Sequence, residues 1–430
     1  MKRLLFLLML TLFSSASIAQ NYDKSFSPDH INTVSNEITV KGQKVPYTAT
    51  YGYQPVWDDT GKVIAALFFT YYERSDVKNK DRRPLIISFN GGPGSASVWM
   101  HLAYTGPRIL NIDDEGYPVQ PYGVRDNPHS IIDVADIVFV NPVNTGYSRI
   151  VDQSVDRSEF FGVNADIEYL AEWINTFVTR NNRWASPKYL IGESYGTTRV
   201  SGLSLELQDN QWMYINGVIL VSPTGLGIDR DGPVNMANRL PYYAATAWYH
   251  EKLPADLQSK DLLEVLDEAE TYTMNELLPV MAKGAWATED EKTEAVNMFA
   301  RYSGLKPEVV RQHNLDVPTS FFWKELLRDE GFTVGRLDSR YKGIDRKAAG
   351  ERPEIDSWLH SFTPAINYSF THDLGYKTDI KYNMFGPVRP WDRSGDNTGE
   401  NLRQAMAMNP YLHVMTQSGY YDGATTYFNA

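Results

Sequence analysis

The sequence predicts an α/β protein: a mostly parallel central sheet covered by helices, with antiparallel strands at its N-terminal side and a helical insertion late in the chain. Three observations predict it. Residues 36 to 74 carry the period-two pattern of antiparallel strands, as in Glu37-Ile-Thr-Val40 and the stretch Val63 to Tyr72. Five short unbroken apolar runs follow, Leu85 to Phe89, Ile137 to Val140, Tyr189 to Ile191, Val218 to Val221 and Leu412 to Met415, which is how strands buried on both faces read. Between them lie helical periods, most clearly Asn164 to Val178, where Ile167, Leu170, Ala171, Ile174 and Phe177 recur at helical spacing. Strands alternating with helices give a parallel sheet covered on both sides.

Taken in chain order, residues 1–19 read as a secretory signal peptide: Met-Lys-Arg, an apolar run from Leu4 to Phe13, then small residues from Ser14 to Ala19, with cleavage before Gln20. The run is too short for a comfortable membrane span, and no later segment is apolar for long enough. An exported, soluble, periplasmic protein with no stable membrane insertion is expected. The formal net charge of -12 argues against nucleic acid as a partner. With 42% hydrophobic and 13% aromatic residues the chain can bury a large core. Its zero cysteines exclude disulfides, a thiol nucleophile and a thiolate metal site, so catalysis must use oxygen or nitrogen groups.

Residues 20–231 form the first part of the core. From 232 to 364 the alternation breaks: Asp261 to Leu278 and Glu289 to Tyr302 are helical in period with no clear parallel strand between them. This reads as a cap inserted above the C-terminal edge of the sheet, where it shapes a cleft. Residues 365–430 return to the core. Trp99, Trp212, Trp248 and Trp323 read as core or cleft-wall residues. Asp392-Arg-Ser-Gly-Asp396 lacks the spacing of a calcium loop and reads as a solvated turn.

Two motifs carry chemistry. Gly192-Glu193-Ser194-Tyr195-Gly196 follows a strand and precedes a helix-like stretch, the context in which G-x-S-x-G exposes a serine nucleophile on a strained turn. The strand from Leu85 runs into Asn90-Gly-Gly-Pro-Gly94 about one hundred residues upstream. In an α/β-hydrolase the second donor to a developing oxyanion sits there, and glycines leave its N–H open to approach. Tyr195 N–H would be the first donor and Gly92 N–H the second. Phosphate-cradling patterns are absent from the same turn.

Asn90-Gly-Gly-Pro-Gly94, Asn141-Pro-Val-Asn-Thr-Gly-Tyr-Ser148 and Gly192-Glu-Ser-Tyr-Gly196 occur in order, and Ser418-Gly-Tyr-Tyr-Asp-Gly423 follows the Leu412 strand. Over residues 36 to 430 the chain resembles the serine carboxypeptidase family, in a bacterial exported form. The resemblance implies an α/β-hydrolase fold with a helical cap, no metal or other cofactor, and a peptide substrate shortened from its C-terminus. Position by position it makes Ser194 the nucleophile and Asp422 the group that orients a histidine, with Asn90 and Glu193 binding the substrate's terminal carboxylate. A carboxylate can do that only when protonated, which implies an acid pH optimum.

The pattern departs from the family in three places. The fold runs Ser, then Asp, then His, yet no histidine follows Asp422, and truncation before the histidine loop is the expectation. His413 falls within a strand read as buried. Ser88 and Tyr104 stand where the family usually has Trp and Glu, both part of its carboxylate-binding network. An esterase or acyltransferase at the same serine therefore stays open, as does a non-catalytic binding protein should the natural chain lack the histidine.

Overall fold

A computed structural model describes residues 24–228, 231–345 and 352–430; the signal peptide read over residues 1–19 lies outside them. The chain begins as a meander of β1 (His30–Val40), β2 (Gln43–Trp57) and β3 (Val63–Arg74), paired antiparallel. Lys41 and Gly42 alone join β1 to β2, both at positive φ, the tight connection whose twist matches that of the strands.

The remaining strands of the main sheet are β4 (Leu85–Phe89), β5 (Asp136–Val140), β6 (Lys188–Glu193), β7 (Gly217–Val221) and β8 (His413–Gln417). Their order is β1-β2-β3-β5-β4-β6-β7-β8, and a two-residue strand, Arg149–Ile150, pairs with β3. β5, β4, β6, β7 and β8 are mutually parallel. Every residue of β4 and β5 is buried, which is why their sequences are unbroken apolar runs. β6 and β7, also interior to the sheet, are largely buried as well. β8 corrects the expectation: it lies at the sheet edge with His413 exposed and Met415 52% exposed. Strand propensity is local, whereas burial depends on what pairs and packs alongside.

The helices that matter for the site are α1 (Val98–Ala103), α2 (Val163–Arg180), α3 (Tyr195–Asp209), α4 (Leu240–Tyr249), α5 (Glu289–Ser303), α6 (Pro353–Tyr368) and α7 (Thr398–Met408). On one face of the sheet α2, α3 and α7 bury Ile167, Leu170, Phe177, Leu203 and Leu402 against Ile87, Val138 and Leu190. On the other, α1 and α6 bury Val98, Leu102, Phe362 and Ala365 against Ile86, Ile137 and Ile191. This is the two-sided cover predicted for an α/β sheet.

A third core, from Ala237 to Val334, is built by α4, α5 and the short helices around them. It also holds a small antiparallel pair, Phe332–Val334 with Lys342–Ile344, that sequence periodicity did not signal. α6 continues through Pro364 and belongs to the sheet-side core. Trp212, read as a core or cleft residue, stands 87% exposed after α3. Among the described residues no helix is long and apolar enough to cross a membrane.

Candidate active site

After β4 the chain moves to β5 on one side and later to β6 on the other, so the strand order reverses at β4. Open α/β sheets bind ligands outside the carboxyl ends of the strands at such a point. Register brings the loops together there: Phe89 pairs with Gly192, and Val221 pairs with both Glu193 and Gln417. The Asn90–Gly94 turn, the Ser194 elbow and the Asp422 loop all leave the sheet at this edge.

Ser194 caps α3 with φ 56° and ψ -125°, a conformation a side chain adopts only when its surroundings impose it. Its N–H donates to Val221 O at 2.9 Å, and its carbonyl accepts from the Thr197 N–H at 2.8 Å and the Thr197 hydroxyl at 2.6 Å. The elbow is tight because Gly192 lacks a side chain: a Cβ there would sit 2.1 Å from Gly196 O. The glycine turn presses equally close, since a Cβ on Gly91 would lie 2.4 Å from Tyr195 N. Gly91 thus lies against the elbow with no side chain between, and Tyr195 opens α3 with its N–H unclaimed by the helix ladder.

Asn90 is buried and used at both ends of its amide. Its Oδ1 accepts from Met100 N–H in α1 at 3.0 Å, and its Nδ2 donates to Glu193 Oε2 at 2.9 Å. Burial pushes the Glu193 carboxyl up to about 7; the Asn90 amide and the Gly91 N–H pull it down, and the Asp422 charge raises it further. A carboxyl poised there can donate its proton to an anion. Tyr104, at the end of α1, donates its hydroxyl to Gln417 Oε1 at 2.6 Å. Ser88 is buried in β4, and its hydroxyl has no partner among the described residues.

Asp422 accepts from the Ala424 N–H at 2.8 Å, the Thr425 N–H at 3.2 Å and the Thr425 hydroxyl at 2.8 Å. Burial raises its carboxyl above the usual range, and these donors with the Ser222 hydroxyl oppose the rise. The ring hydrogen bonds of the histidines go elsewhere: His101 to the Tyr72 hydroxyl, His250 to Ser339 O, and His313, His360 and His372 to backbone carbonyls one turn earlier. His101 is fully packed, stacked on Phe139, and burial lowers it to about 3. None of them serves Ser194 or Asp422.

Sequence reasoning missed the ion pair behind the turn. Arg199, in the second turn of α3, donates Nε to Asp166 Oδ2 of α2 at 2.7 Å and Nη1 to Asn90 O at 2.7 Å; neither side chain is more than 1% exposed. Asp166 also accepts from the Tyr169 hydroxyl at 3.0 Å. The pair therefore ties both helices to the carbonyl that opens the glycine turn. An arginine five residues after the elbow serine was the available signal. Together the site can present a hydroxyl nucleophile, backbone N–H groups beside it, and a carboxyl that titrates near neutrality.

A profile described as serine carboxypeptidase, peptidase family S10, matches residues 40–354. The human retinoid-inducible serine carboxypeptidase is 24% identical over 318 residues, covering 70% of this chain and 65% of that protein. Serine carboxypeptidase-like 9 of Arabidopsis thaliana is 28% identical over 164 residues, covering 37% of this chain and 36% of the relative. The chain thus spans about a third to two thirds of the length of these curated relatives. Among solved structures, Kex1, a prohormone-processing carboxypeptidase from Saccharomyces cerevisiae, superposes with a TM-score of 0.50 at 14% identity, covering 89% of this chain and 75% of that one. At that identity the superposition supports the fold, an α/β-hydrolase sheet.

Proposed function

Because the chain belongs to the serine carboxypeptidase family, we propose that it removes C-terminal residues from peptides through an acyl-enzyme on Ser194. The observation that carries the reading is the Asn90–Glu193 pair, a carboxyl held near neutrality beside the elbow serine. Ser194 Oγ attacks the scissile carbonyl, and the Tyr195 and Gly92 N–H groups receive the charge that develops on its oxygen. Asn90 and protonated Glu193 hold the terminal carboxylate of the leaving residue. Water then hydrolyses the acyl-enzyme. The helices of the third core, Ala237 to Val334, cap and wall the cleft, and residues 1–19 direct export to the periplasm.

The charge on Glu193 sets the sign of the pH dependence. Below about 7 the group carries its proton and donates to a carboxylate; above it, two negative charges face each other. For an N-blocked dipeptide, kcat/KM is expected to fall about tenfold per pH unit above this value. The C-terminal amide should lack that limb, and so should Glu193→Gln acting on the free acid. Equal rates for acid and amide at every pH would remove the carboxylate from the mechanism and leave an esterase or acyltransferase.

The mechanism also needs an imidazole between Ser194 and Asp422.

A further inference from the structure

The loop from Gly335 to Tyr341 runs beside the Asp422 loop and bonds it on both sides of the carboxylate. Ser339 N–H donates to Tyr421 O at 2.9 Å, and Gly423 N–H donates to Arg336 O at 2.9 Å. Asp422 therefore hangs between two backbone bonds to one segment of the cap. Gly423 sits against that cap with no space to spare: a Cβ would lie 2.3 Å from the Tyr242 hydroxyl and 2.7 Å from Trp323 Nε1.

The segment is itself fixed from three directions. Ser339 shares a hydrogen bond with the Thr246 hydroxyl of α4 at 2.7 Å, and its carbonyl meets His250 Nε2 at 2.7 Å. Arg340 is locked on Asp338 and lies over the Tyr421 ring, 5.4 Å from its centre. The third tie comes from the first turn of α6: Glu354 Oε1 accepts from Arg336 N–H at 3.2 Å and Leu337 N–H at 3.1 Å. Glu354 is fully buried, and its Oε2 has no hydrogen-bond partner among the described residues.

A buried carboxyl serving only backbone N–H groups is unfavourable in isolation. Gly335 permits the close approach, since a Cβ there would stand 2.7 Å from Oε2. From this geometry we infer that Glu354 is a positioning residue: acting through Arg336 and Leu337, it holds the 335–341 loop against the two bonds that flank Asp422. The inference rests on Asp422 being the carboxylate that orients the base in the proposed mechanism, and it reaches that residue through the loop between them.

Hydrogen exchange read by mass spectrometry on the 430-residue chain tests the clamp without requiring activity. In Glu354→Ala, peptides covering 335–341 and 419–426 should exchange at least about tenfold faster, while those from β4 and β6 stay unchanged. Glu354→Gln keeps the accepting oxygen and should restore protection. Under the proposed mechanism Glu354→Ala should also lower kcat about tenfold with KM unchanged, because Asp422 orients the base and does not touch substrate; Gln should restore it.

Unchanged exchange at 419–426, or an effect confined to KM, would overturn the inference. If the alanine variant fails to fold, Glu354→Asp withdraws the carboxyl by one methylene and should loosen the same peptides. A wild-type protein with no peptidase turnover would count against the mechanism, and exchange alone would then decide the clamp.

Discussion

Ser194→Ala is expected to reduce peptide turnover on the order of a million-fold, with substrate binding preserved. The reason is geometric. Ser194 occupies a strained φ of 56° that stands its side chain at the crest of the β6–α3 turn, and no other hydroxyl holds that place. Thr197, nearest along α3, is buried and has its hydroxyl bonded to Ser194 O. The variant keeps Gly91, Gly92 and the Tyr195 N–H, so residual turnover above the uncatalysed rate would measure what those donors contribute unaided. A fluorophosphonate probe checks the assignment directly: labelling should disappear in the variant. Labelling that survives would place the nucleophile at another serine.

The second large effect is on stability. Asp166→Ala is expected to cost about 3–5 kcal/mol, because it leaves the Arg199 guanidinium buried without its counter-charge. A lowered urea midpoint with an unchanged slope would record it. Asp166→Leu combined with Arg199→Met should recover most of the loss, since apolar groups of similar volume can replace a buried pair. That double variant should nevertheless remain slow: Arg199 also holds Asn90 O at 2.7 Å, and without it the glycine turn loses an anchor next to the oxyanion donors. A double variant with native turnover would reduce Arg199 to a packing role. A double variant no more stable than Asp166→Ala would mean that the charge imbalance is not what the single substitution exposes.

How much of this was legible depended on the range over which each feature is determined. The elbow could be read because a strand, a strained serine and a helix must follow within a few residues, and Gly192 and Gly196 are the residues that permit it. The Asn90–Gly94 turn was legible for the same reason. Its pairing with the elbow was an expectation from fold type until register placed Phe89 beside Gly192. Asn90 and Glu193, carried over from the family resemblance, prove to share a hydrogen bond across 103 residues. By contrast Arg199 and Asp166 sit on separate helices in ordinary polar positions, and nothing near either one announces that both are buried.

The helices between residues 237 and 334 were recognisable from their period, but the contact of this region with the Asp422 loop was not. The bonds to Arg336 and Ser339 are backbone bonds, available to almost any sequence, and Gly423 fits there because it carries no side chain to meet Tyr242 and Trp323. The edge position of β8 was missed on similar grounds, as an apolar run specifies a strand without specifying its neighbours.

By itself, then, the sequence determined the elements and their likeness to one family and marked Ser194 as the candidate nucleophile, since alternation, glycine placement and short motifs act within a single strand–turn–helix. Tertiary structure alone decided that burial raises the Glu193 carboxyl to about 7, that Arg199 bonds the carbonyl opening the glycine turn and that Glu354 bonds the loop running beside Asp422. Each of these depends on which groups water is excluded from, and exclusion of water is a property of packed surfaces brought together from distant parts of the chain.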